Sequence, residues 1–241
     1  MSGAAADAVE LAPGAWCLGQ RKGGRVHAFL FDGDDGLTLV DTLYDTDGAR
    51  VLRQIEALGR RPEDLRRIVL THAHRSHLGG LAALKRATGA DIHAHAWEAD
   101  VIAGEREAQR VSLLPRRPYR TYVPFQAAAA VGLGKHPPCP VDHHVAGGDD
   151  IGPLHVVDAP GHSPGHLAFW HAGHRLLLAG DAIATWPSFL PGWGNFTLNE
   201  EHHRRSLRRL AALEPEILGV GHGEPIRGEA RKRVRDLVDA L

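Results

Sequence analysis

Four short apolar runs in this chain each stop at a side chain able to hold a metal ion. No other feature limits its fold as strongly. Arg67 to Leu70 (RIVL) passes into Thr71-His72, and the run Leu154 to Val157 leads into Pro160-Gly161-His162. Arg175 to Ala179 ends at Gly180-Asp181, and Ile217 to Val220 ends at Gly221-His222. Runs of this length read as strands buried in sheets. Side chains delivered from several strand ends into adjoining loops make a site on a rigid scaffold. Within the first loop His72 and His74 flank Ala73. If extended backbone continues past the strand, alternate residues project to one side, so both imidazoles can face one point. His77 follows three residues later, where a helix is expected to start. Neutral imidazoles gathered in this way suit zinc.

The remaining pattern is that of an α/β chain. Val9 to Leu18, Val26 to Phe31 and Leu37 to Val40 read as a β-meander, with Asp32-Gly33-Asp34-Asp35-Gly36 as hairpin-turn chemistry. Val51, Leu52, Ile55 and Leu58 have the spacing of one buried helix face. A second helix is expected from Gly79 to Thr88, a strand from Asp91 to Ala94, and a helix from Ala96. In the second half Leu167 to Trp170 is a further strand, and helices are expected from Glu200 and from Gly228. No abrupt linker separates the halves. The expectation is therefore one domain over 1–241, carrying a lid-like insertion around 105–150 where prolines, arginines and aromatics cluster.

Composition sets bounds on function. Hydrophobic residues make up 43% and charged residues 24%, enough apolar surface to offset the entropy of ordering the chain. A formal net charge of −1 gives no support to nucleic-acid or membrane-surface binding. No long apolar run suggests a membrane span, and the N-terminal residues do not read as a signal peptide. Cys17 and Cys139 lack metal-ligand spacing and read as reduced thiols, so a cytoplasmic location is expected. Histidine is the unusual count, at 17. His93 and His95, and the pairs His143-His144 and His202-His203, are expected to be structural or on the surface.

The run Thr71-His72-Ala73-His74-Arg75-Ser76-His77 resembles the histidine signature of the metallo-β-lactamase-fold hydrolases, which reads His-X-His-X-Asp-His. Asp41, His162, Asp181 and His222 match that family's other motifs in order, and the resemblance covers nearly the whole chain. It implies a four-layered αβ/βα sandwich, with two mixed β-sheets face to face and helices outside. It also implies a first metal position held by His72, His74 and His162. A second would be held by His77, His222 and residue 76, with Asp181 as the bridge. Asp41 would be a structural aspartate beneath the metal loop. His166 is a candidate for a supporting role close to the site. One or two zinc ions are the expected cofactor, with iron as an alternative. The nucleophile implied is metal-bound hydroxide, acting on an ester, thioester, lactone or related acyl bond.

Ser76 departs from that signature, a neutral hydroxyl standing where the family has a carboxylate. The expectation is a weaker second position, with Ser76 and Asp181 as the residues nearest the chemistry. Other readings stay open: a metal- or ligand-binding member without turnover, a single-iron oxygenase-type relative using His72, His162 and Asp181, or β-lactamase activity. Tyr122, Phe125, Trp186, Phe189 and Trp193 are expected to line an apolar mouth for a small-molecule substrate.

Overall fold

Period-two alternation along the strands sorts the apolar residues into separate layers. The computed structural model describes residues 8–108, 123, 127 and 135–241. One sheet runs in the order β1 (Ala8–Ala12), β2 (Ala15–Gln20), β3 (Val26–Gly33), β4 (Gly36–Val40), β5 (Leu65–Val69), β6 (Asp91–Ala94) and β7 (His143–His144). The other sheet comprises β8 (Asp150–Ile151), β9 (Leu154–Asp158), β10 (Leu167–His171), β11 (Leu176–Leu178), β12 (Ile217–Gly219) and β13 (Ile226–Arg227) in chain order. Both are mixed: β4, β5, β6 and β7 pair in parallel, as do β11 and β12, and the remaining pairs are antiparallel.

On β3, Phe29 and Phe31 face the second sheet, while Ala28 and Leu30 face outward to helices. On the second sheet Leu167, Phe169, Leu176 and Leu178 meet those phenylalanines, and Ala168 and Leu177 point to the other side. Successive strand residues face opposite ways, so each sheet is buried on both faces and each strand reads as nearly continuous apolar sequence. Beyond the short α1 (Lys22–Arg25) between β2 and β3, the outer layer on the first sheet contains α2 (Ala49–Ala57), α4 (Leu81–Thr88) and α5 (Ala96–Ile102). The outer layer on the second contains α6 (Glu200–Ala211) and α7 (Ala230–Asp239), through Leu207, Leu210 and Val234. The architecture is the αβ/βα sandwich of the metallo-β-lactamase fold.

Several expected elements shift in detail. The single run Val9 to Leu18 divides at Pro13-Gly14 into β1 and β2, because Gly14 takes a positive φ that turns the chain. The hairpin expected at 32–36 is present, with Gly33 opposite Gly36. From the lid-like stretch around 105–150, residues 109–122, 124–126 and 128–134 lie outside the described residues, Tyr122 and Phe125 among them. Its later part supplies β7 and β8. Among the described residues no helix is long and apolar enough to cross a membrane. Cys17 and Cys139 are both buried free thiols.

Candidate metal centre

The C-terminal ends of β4, β5, β9, β11 and β12 meet along one edge of the sandwich. After β4 comes Asp41, in the left-handed region at φ 59°, which an aspartate tolerates better than most residues. After β5, the His72-Ala73-His74 loop leads into the one-turn helix α3 (Arg75–Leu78). After β9 comes the turn holding His162, after β11 the 3-10 turn Gly180–Ala182 holding Asp181, and after β12 His222.

Two donor sets form there. His72, His74, His162 and Asp181 compose the first, and His77, Asp181 and His222 the second, with each set's ligand atoms within 4.8 Å of one another. In the first, His74 Nδ1 lies 3.0 Å from both His72 Nε2 and His162 Nε2. Asp181 Oδ2 stands 3.7 Å from His72 Nε2 and 3.5 Å from His162 Nε2. In the second, Asp181 Oδ1 is 3.3 Å from His77 Nε2, and Oδ2 is 3.4 Å from His222 Nε2. Donors at 2.0–2.1 Å around a tetrahedral ion sit about 3.3 Å apart, so these spacings fit a metal. The buried atoms His77 Nε2 and Asp181 Oδ1 have no hydrogen-bond partner, which a cation between them would satisfy.

The surrounding hydrogen bonds aim the ring nitrogens inward. His77 Nδ1 donates to Asp41 Oδ2 at 2.7 Å, leaving Nε2 toward Asp181. Asp41 is itself held by the Thr71 backbone N–H at 2.9 Å and by the Thr71 hydroxyl at 2.8 Å. The Thr71 oxygen lies 3.0 Å from His72 Nδ1 and can accept its proton, which leaves His72 Nε2 facing the site. His222 Nδ1 donates to the Gly24 carbonyl at 2.9 Å. Such outer partners set tautomer and ring orientation.

Burial keeps the first set ready for a cation. It pushes His72 and His162 well below the ordinary imidazole range and His74 down to about 4, so their lone pairs are free at neutral pH. His77 goes the other way: burial alone would lower it, but the charges of Asp181 and Asp41 raise it to about 10. Its Nε2 proton is what a cation in the second set would replace. Asp181 is held well below the usual carboxylate range, because His222 and His77 outweigh the effect of its burial.

The expected residues are distributed unevenly. All six candidate ligands converge, and Asp41 supports His77. His166 is buried behind the site, its Nε2 accepting the Asp181 backbone N–H at 3.0 Å. Ser76 sits half-buried in α3, and its hydroxyl makes no hydrogen bond to another described residue. Trp193 stacks on the His222 ring at 4.3 Å and donates its indole N–H to the Trp186 carbonyl at 2.8 Å. Phe189 is instead packed against the layer under α6 and α7, beneath the guanidinium of Arg233. Its apolar ring is covered there, away from the histidines.

Three residues near the site were not singled out from sequence. Phe196 lies 5.8 Å from the His74 ring and stacks on His162 at 6.3 Å. It belongs to the aromatic loop after Thr185, whose composition alone did not show which ring faces the converging histidines. His203 was expected at the surface with His202, yet it is buried and its Nε2 donates to the Ala182 carbonyl at 2.9 Å. Helical periodicity places it on the same face as Leu207 and Leu210, a signal that was present. Glu98 is buried on α5, and no local pattern marked it.

Comparisons with known proteins agree with this geometry. Hydroxyacylglutathione hydrolase of Rhodobacter capsulatus is 29% identical, over 74% of this chain and 56% of that enzyme, so the match spans little more than half of it. A Cronobacter sakazakii metallo-β-lactamase with a HARLDQ motif superposes with a TM-score of 0.71 at 26% identity, covering 97% of this chain and 92% of that one. The protein TTHA1623 in a di-iron-bound form gives a TM-score of 0.63 at 27% identity, covering 93% and 96%. A family model described as the metallo-beta-lactamase superfamily matches residues 21–222, and with its two donor sets sharing Asp181 the chain belongs to that superfamily.

Proposed function

We propose that this protein is a metal-dependent hydrolase that cleaves an ester, thioester, lactone or related acyl bond of a compact organic substrate. The observation that carries the reading is the convergence of five histidines on the single carboxylate of Asp181. Zinc or a similar ion, when bound, supplies hydroxide at neutral pH and polarises a scissile carbonyl. His72, His74 and His162 would hold the first ion and His77 and His222 the second, with Asp181 offering an oxygen to each. Trp193 and Phe196 cover the histidines from one side and exclude water there. The name of the Rhodobacter relative, a hydrolase of acylated glutathione, supports acyl chemistry. The test is a panel of lactones, thioesters, phosphoesters and β-lactams with zinc-loaded protein. Metal-dependent turnover of an acyl compound is expected, and its absence on every class would overturn the reading.

Iron is the second reading of the metal, favoured by the di-iron form of TTHA1623 and by donors that suit either ion. Elemental analysis of protein purified without added metal separates the two.

Ser76 should weaken the second position, because an anionic oxygen is missing beside two divalent charges. Ser76→Asp is expected to raise zinc content toward two per chain, read by elemental analysis after dialysis. If the hydroxyl orients a water, Ser76→Ala will lower turnover with metal content unchanged.

Asp41→Asn tests the support of His77. The amide loses the charge that complements His77 Nδ1–H and one of the oxygens that accept from Thr71. Affinity of the second position should fall about 10–100-fold, the usual cost of losing an outer partner. Zinc titration against a chelating dye should show the first position much less affected.

A further inference from the structure

Glu98 stands on α5, a helix that contributes none of the converging donors, yet the residue is only 5% exposed and its carboxylate touches both loops of the first set. Oε2 accepts the backbone N–H of Ala73 at 3.1 Å, between His72 and His74. Oε1 accepts the hydroxyl of Ser163 at 2.7 Å and the backbone N–H of Gly165 at 3.0 Å, just after His162. Among the described residues no lysine or arginine pairs with it. A buried carboxylate held only by neutral donors is costly unless those donors are fixed around it. Gly165 shows how close the approach is: a β-carbon there would lie 2.9 Å from Glu98 Cγ and 2.7 Å from His95 Nδ1.

We infer that Glu98 is a positioning residue for the first metal position, cross-bracing the loop of His72 and His74 to the loop of His162. The inference rests on the reading that these three histidines hold a metal. The first loop leaves β5 of one sheet and the other leaves β9 of the second, so their ligands meet only if the sheets' edges are held in register. A single side chain bonded to both loops sets that register at the ligands themselves. Small errors matter, because ligand atoms must be held within about 0.5 Å of the working geometry.

The test uses cobalt(II) as probe, read by its visible d–d absorption and by competition with a chelator, beside thermal melting of each variant. Glu98→Gln keeps the volume but replaces one acceptor oxygen with an NH2 donor, which must face a donor on one loop or the other. Affinity of the first position should fall about 10–100-fold, with an altered d–d spectrum. Ser163→Ala removes one bond of the three and should give a smaller change in the same direction, in a protein that folds normally. Ile55→Val, in the core under α2, should lower the melting temperature and leave affinity and spectrum as in wild type. Wild-type affinity and spectrum in Glu98→Gln would overturn the inference, as would an Ile55→Val variant that reproduced its spectral change. Wild-type protein that takes up no cobalt would overturn the metal reading itself, and the inference with it.

Discussion

Asp181→Asn is expected to strip metal from both donor sets at once and to abolish measurable turnover. The side chain keeps its shape, so the change isolates the charge. Asp181 is the only carboxylate among the converging donors, and its oxygens lie 3.3–3.7 Å from ring nitrogens of His72, His77, His162 and His222. A relative with an additional aspartate ligand could retain one ion after such a loss; with Ser76 in this chain, no second anionic ligand remains among the donors. The loss in affinity should exceed the roughly 10–100-fold that follows removal of an outer partner, since a direct and shared ligand is removed. His77→Ala should cost less, because it touches the second set alone. Elemental analysis of both variants after dialysis decides the order. Metal retained by Asp181→Asn at the level of His77→Ala would show that Asp181 is not shared.

Gly221→Ala should be nearly as severe for the second set, for a steric reason. A β-carbon at Gly221 would fall 2.0 Å from Asp181 Oδ1 and 2.8 Å from His77 Cε1, both on buried side chains. The backbone cannot retreat easily, because Gly221 N–H donates to the Gly180 carbonyl at 2.8 Å and its own carbonyl accepts from His27 N–H at 3.0 Å. Asp181 must therefore swing out or the β12 loop must shift, and either parts the donors. Overpacking of this kind costs about 1–3 kcal/mol of stability, so the variant should still fold while losing the second ion. Gly59→Ala is the control. Gly59 has φ at 71°, where a side chain strains the backbone, but a β-carbon there meets nothing within 4 Å. It should lose stability without losing metal. If Gly221→Ala bound two ions as tightly as wild type, the close approach of β12 to Asp181 would be disproved.

The parts of the fold that were legible in sequence are those built from near neighbours along the chain. Short continuous apolar runs such as Arg67 to Leu70 and Leu167 to Trp170 read as strands, and His72, His74, His162, Asp181 and His222 came in the loops after such runs. Helix faces such as Val51, Leu52 and Ile55 were equally plain. The two-residue strands β7, β8 and β13 carry no periodicity of their own and exist because a neighbouring strand offers hydrogen bonds. Aromatics in irregular loops were the least legible, since nothing local says which way a loop ring turns. Phe189 went to the helical layer and Phe196 to the histidines.

By itself the sequence determined which residues could bind a metal and that strand ends would present them, because alternation and turn chemistry act over a few residues. It also determined the missing carboxylate at Ser76. Only the tertiary structure decided that Gly221 must lack a side chain beside Asp181, and that Glu98 joins the loops of His74 and His162, 88 residues apart. Those relations are contacts between the edges of two sheets, and they come into being when the apolar faces of β3, β10 and β11 close on one another.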